Sequence, residues 1–113
     1  MKNILLALVI NIFMTSPLWA NVSLEQSFPK NGAMFMQSPD KVQLKFAKMV
    51  NLKSIRLFDA AGNVSVLAVG DGRHNTFFSA PMMPLNKGNY RVAWSVESHD
   101  GEAKTGTFDF MVH

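Results

Sequence analysis

Tyr90-Arg91-Val92-Ala93-Trp94-Ser95-Val96-Glu97 is the stretch on which the fold reading turns. Tyr90, Val92, Trp94 and Val96 alternate with Arg91, Ala93, Ser95 and Glu97, so an extended backbone has one apolar face and one wet face. Downstream, Phe108, Phe110 and Val112 repeat the pattern against Thr107, Asp109 and Met111, with Ser98 to Gly106 as a polar connecting loop. Upstream, Val42, Leu44 and Phe46 alternate with Gln43 and Lys45. Ser54 to Phe58 reads as a separate strand of the same kind, closed by the turn chemistry of Asp59-Ala60-Ala61-Gly62-Asn63. Val64 to Val69 is a further apolar run ending at Gly70-Asp71-Gly72. Thr76-Phe77-Phe78 precedes Pro81 and Pro84, which exclude a central strand or a helix there. No stretch keeps a helical period for more than about two turns. The expected architecture is a small all-β sandwich or barrel, antiparallel with Greek-key links.

The chain has 113 residues, enough for one domain, and is 48% hydrophobic and 17% charged, which excludes a disordered polyelectrolyte. Its 11 Lys and Arg against 8 Asp and Glu are dispersed, so the basic balance is not a nucleic-acid footprint. With no cysteine, a thiolate nucleophile, a Cys-ligated zinc and a disulfide scaffold are all excluded. Residues 1–20 read as a signal peptide. Lys2 is the positive start, Ile4 to Met14 is apolar apart from Asn11, and Pro17-Leu18-Trp19-Ala20 leads to the cut. A membrane span needs about 17–25 apolar residues, more than this run supplies. Cleavage after Ala20 leaves a single domain over residues 21–113, exported to the periplasm, with the free amine of Asn21 at its head.

His74, His99 and His113 sit in or beside loops and at the end of the chain. Around them there is no nucleophile elbow, HExxH helix or phosphate-binding loop, and the chain is not read as an enzyme. Glu97, His99, Asp100 and Glu102 form the densest polar group, around an Asp-Gly turn. Such a set can coordinate a cation or simply solvate a loop between two strands, and from spacing alone the solvated loop is the better reading.

The order of motifs carries more than any one of them. Asn21-Val22-Ser23-Leu24-Glu25-Gln26-Ser27-Phe28-Pro29 through Gly32, then Gln37-Ser38-Pro39 with its following strand, resemble the opening of the CopC family of periplasmic copper-binding proteins. Leu85-Asn86-Lys87-Gly88-Asn89-Tyr90-Arg91-Val92-Ala93-Trp94, running into Ser98-His99-Asp100-Gly101, is similar to that family's Leu-x-x-Gly-x-Tyr-x-Val-x-Trp strand and Ser-x-Asp-Gly-His loop. Gly106 to Val112 matches its closing strand. The resemblance implies a seven-stranded, immunoglobulin-like Greek-key barrel or sandwich.

It also implies a Cu(II) site made by the amine and imidazole of a leading His, a loop Asp and a loop His. Asp100 matches the aspartate, whereas Asn21 and Glu102 stand where the family has histidines. Cu(II) prefers nitrogen donors, so this donor set is weaker and less selective. His99 becomes a substitute candidate if the Asp-Gly turn redirects it. The expected metal residues are therefore Asn21, Asp100, Glu102 and His99, with copper, as Cu(II) rather than Cu(I), the expected ligand. Met34, Met36, Met49, Met82, Met83 and Met111 offer soft thioethers but read first as packing residues. Partners implied by the resemblance are an inner-membrane copper transporter or another periplasmic copper carrier. The competing reading is an interaction module of the cell envelope that keeps the fold without the metal.

Overall fold

A computed structural model describes residues 24–113 of the chain; the expected leader over residues 1–20, and Asn21 itself, lie outside them. The described residues form β1 (Leu24–Phe28), β2 (Ala33–Phe35), β3 (Lys41–Asp59), β4 (Val64–Val69), β5 (His74–Pro81), β6 (Gly88–Glu97) and β7 (Ala103–Val112), with no helix among them. Seven strands in one curled, all-β sheet agree with the expected fold class. The main strand order is β1-β3-β6-β7-β2, and β4 and β5 both pair with β3.

The strands expected separately at Val42–Phe46 and Ser54–Phe58 are one continuous element, β3. Its first part lies between β1 and β5, and its last part between β4 and β6. Ala47, Lys48 and Met49 are exposed between the buried Phe46 and Val50, and the register against β5 shifts between Lys45 and Val50, so the strand stays extended while it passes from one set of partners to the next. Burial at Leu52 and then at Ile55 breaks the two-residue period, and the register against β6 shifts between Leu52 and Ser54. An extra residue there lets both ends of one strand present apolar side chains to the same core. The Gly70 N–H donates to the Lys53 carbonyl at 3.1 Å over this irregularity. A Cβ on Gly70 would lie 1.6 Å from the Leu52 carbonyl oxygen, so only glycine permits the approach.

Pairing differs from the antiparallel expectation at one place: β2 runs parallel to β7, with Met34 opposite Met111. β2 reaches β7 from the far end of the sequence, not through a hairpin, and the Gly32 N–H donates to the Asp109 carbonyl at 2.7 Å to dock it. The polar loop is also shorter than expected. β7 already begins at Ala103, opposite Glu97, because Ala103 to Thr105 find backbone partners on β6.

The core follows the alternation seen in the sequence. Val42, Leu44, Phe46, Ile55, Val92, Trp94, Val96, Phe108, Phe110 and Val112 are buried. Trp94 meets Phe46 edge-on at 5.1 Å between ring centres, and Tyr90 stacks on Phe110 at 5.4 Å. The Tyr90 hydroxyl donates to the Asn86 carbonyl at 2.6 Å, so its polar tip is satisfied at the edge of the core. Among the described residues, no helix is long and apolar enough to cross a membrane.

Candidate metal centre

The β6–β7 connection is a tight turn over Ser98 to Glu102. The Ser98 N–H donates to the Glu102 carbonyl at 2.8 Å, the Gly101 N–H to the Ser98 carbonyl at 2.9 Å, and Gly101 takes a φ of 87°. That left-handed conformation suits glycine, which explains the Asp-Gly pair at the tip. Ser98 is buried, and its hydroxyl donates to Oδ1 of Asp100. The Glu102 N–H is shared between the Ser98 hydroxyl oxygen and the same Asp100 oxygen, each at 3.2 Å. Hydrogen bonds from Ser98 and from the Glu102 backbone hold the Asp100 carboxyl below its ordinary range, so it is an anion of fixed orientation. Oδ2 takes part in neither bond.

The other candidates stand around it differently. The Glu102 carboxylate is 3.3 Å from the Lys104 ammonium and is half-exposed, a pairing that water weakens. His99 projects from the exposed tip of the turn. Asn21 lies outside the described residues, while Leu24, which opens β1, is opposite Phe46, just before the exposed Ala47–Met49 stretch of β3.

Register explains what else arrives here. Asn51 of β3 is opposite His74 of β5 on one side and opposite Glu97 of β6 on the other. The start of β5 and the end of β6 therefore sit side by side across one strand, and the rings of His74 and His99 meet edge-on at 5.9 Å between centres. An open cleft of about 600 Å³ is lined by Lys48 and Met49 of β3, His74 of β5, and the turn residues Ser98, His99, Asp100 and Glu102. His74 is the residue that sequence reasoning missed. Taken alone it is an exposed histidine after an Asp-Gly turn, and only strand pairing brings it to His99.

Among the described residues, no group of three or more His, Asp or Glu side chains is already gathered as a metal would gather it. A different cleft, of about 660 Å³, runs over the outer faces of β6 and β7 and contains no histidine. Its carboxylates are engaged: Asp109 accepts from Arg91 at 2.8 and 3.3 Å, and Asp59 accepts the Ala61 and Asn63 N–H groups, each at 2.9 Å. Of the methionines, Met82 is buried, whereas Met34, Met36, Met49 and Met83 are exposed.

The model of the CopC domain matches residues 24–113, nearly the whole of the expected mature chain. The chain belongs to the CopC domain family. Solved structures agree with the assignment. CopC from Methylosinus trichosporium OB3b is 26% identical with a TM-score of 0.69, covering 80% of this chain and 92% of that one. PcoC, a methionine-rich copper resistance protein from Escherichia coli, is 28% identical with a TM-score of 0.62, covering 82% of this chain and 99% of that one. No curated protein matches the chain significantly by sequence.

Proposed function

We propose that this CopC domain is a periplasmic protein of the copper resistance or homeostasis type, which binds or carries copper without catalysing a reaction. The observation that supports it most is Asp100, which matches the family's aspartate in the motif. It is an anion held in place by Ser98 and the Glu102 backbone, at the edge of a cleft shared with His99. In this reading residues 1–20 are a cleaved leader, and the Asn21 amine joins Asp100, Glu102 and His99 as a donor. Leu24 opposite Phe46 supports that assignment, since β1 begins two residues in register from Lys48 and close to Met49, both of which line the cleft. An amine, an imidazole and two carboxylates suit Cu(II) better than Cu(I), and they bind it more weakly than the family's two-imidazole set. An inner-membrane copper transporter or another periplasmic carrier is the partner such a protein would serve.

A Cu(II) titration of the exported protein against a competing chelator tests this. One saturable equivalent is expected, and Asp100→Ala should weaken it about tenfold, or about 1.4 kcal/mol. Absence of saturable binding in the natural protein would overturn the proposal and leave the metal-free interaction module.

A further inference from the structure

We infer that His74 of β5 and His99 of the β6–β7 turn bind one copper ion together, each giving a ring nitrogen. The inference rests on the copper-binding reading of the same cleft and names its ligands. It makes His74 a metal residue although neither the linear sequence nor the family motif marks that position. The number of imidazoles is then unchanged from the family's pattern, but both come from new places.

Three observations lead to it. The first is distance. A first-row metal holds an imidazole nitrogen at about 2.0–2.1 Å, and the ring centre lies about 1.1 Å further out, so two rings on one ion have centres about 4.4–6.3 Å apart as the angle at the metal opens. The His74 and His99 centres are 5.9 Å apart, inside that range. The second is accessibility and support. Both residues are exposed, so their rings can turn toward an ion without disturbing the core, while their backbones are held. His74 is fixed by pairing with Asn51, and His99 lies within the turn that Ser98 and Glu102 close. The third is charge and donor type. Asp100 and Glu102 line the cleft, Glu102 in an ion pair with Lys104 that an incoming cation would compete for, and the Met49 thioether lines it too. Imidazole nitrogen with carboxylate oxygen is a Cu(II) donor set.

The competing account is that the two rings merely touch. Edge-on aromatic contact needs a ring but no ligating nitrogen, so His74→Phe keeps such a contact while abolishing ligation. The probe is Cu(II) salt added to the exported protein, with pulsed EPR counting the coupled remote nitrogens of bound imidazoles. Two are expected in the natural protein and one in each of His74→Phe and His99→Ala. Each variant should also lose at least about tenfold in Cu(II) affinity. Far-UV circular dichroism of the metal-free variants should match the natural protein, since both side chains are exposed. Unchanged affinity and nitrogen count in His74→Phe would overturn the inference while leaving copper binding through Asp100 and the amine intact. No copper uptake by the natural protein would overturn both.

Discussion

Replacing Gly106 with alanine should show how tightly the core is built around one tryptophan. Gly106 of β7 is the direct partner of Trp94 on β6, and the indole lies across the glycine. A Cβ at that position would sit 2.3 Å from Cζ2 and 2.6 Å from Cε2 of Trp94. The ring cannot simply move away, because Trp94 is buried and packs on Phe46, itself only 1% exposed. Overfilling a packed core costs about 1–3 kcal/mol. Loss of glycine's freedom in the unfolded chain returns about 0.4–1 kcal/mol. The two ranges leave a net loss of about 0–2.6 kcal/mol. A Cβ only 2.3 Å from a buried ring puts Gly106→Ala in the upper part, about 1–2.5 kcal/mol. A domain of this size loses about 4–8 °C in Tm per kcal/mol. Thermal melts of the metal-free protein by far-UV circular dichroism should therefore move down by about 4–20 °C. The mechanism is checked by repeating the change in a Trp94→Leu background, which places no ring over Gly106. There the cost should nearly vanish, giving a coupling of at least about 1 kcal/mol. A Tm within about 2 °C of the natural protein, or a strictly additive cycle, would refute the claim that Trp94 occupies the space over Gly106.

Gly70→Ala should be among the most damaging single changes, since its Cβ would meet backbone and not a movable side chain; a Tm drop smaller than that of Gly106→Ala would contradict this. Stability of the metal-free protein should fall in acid. Asp100, Asp59 and Asp109 all have carboxyls held below the ordinary value of 3.8 by hydrogen bonds from Ser98, Asn63 and Arg91 respectively. Their folded values lie below their unfolded ones, so the stabilisation is present above about pH 4 and disappears as pH falls through the depressed values. Urea midpoints at pH 6 and pH 3 measure it, and Asp100→Asn should flatten the difference. Asn21→His combined with Glu102→His should raise Cu(II) affinity by at least about a hundredfold, or about 2.7 kcal/mol, in the same chelator competition. No gain would show either that residue 21 and the Asp100 turn do not share an ion or that the natural protein already binds well through His99. Titrating His99→Ala of the natural sequence separates them, because only the second case predicts a loss there.

Much of the fold was legible because alternation is a local property. Val92, Trp94 and Val96, and likewise Val42, Leu44 and Phe46, are inward residues that any extended backbone places on one face, and all of them are buried. Pro81 and Pro84 likewise limited that region to an edge, and β5 there pairs with β3 and with no other main strand. Motif order supplied the family, which the domain match over residues 24–113 bears out. Asp100 was legible as a candidate because Ser98-His99-Asp100-Gly101 resembles the family's Ser-x-Asp-Gly-His loop, whose aspartate it matches.

Local pattern was silent on how strands are joined sideways. The merging of two short strands into β3 depends on partners supplied by β5 and β6 across Val50 to Leu52, residues far from it in the chain. The parallel β2–β7 pairing is likewise set by where Gly32 docks against Asp109, not by the residues of β2. The candidate site shows the same division. The sequence by itself determined which donor types exist: no thiol, a carboxylate at Asp100 in the turn, and an amide at Asn21 and a carboxylate at Glu102, the positions where the resemblance implies imidazoles. Only the tertiary structure decided that His74 lies against His99, because backbone hydrogen bonding to Asn51, flanked by β5 and β6, sets side by side two residues that no periodicity links.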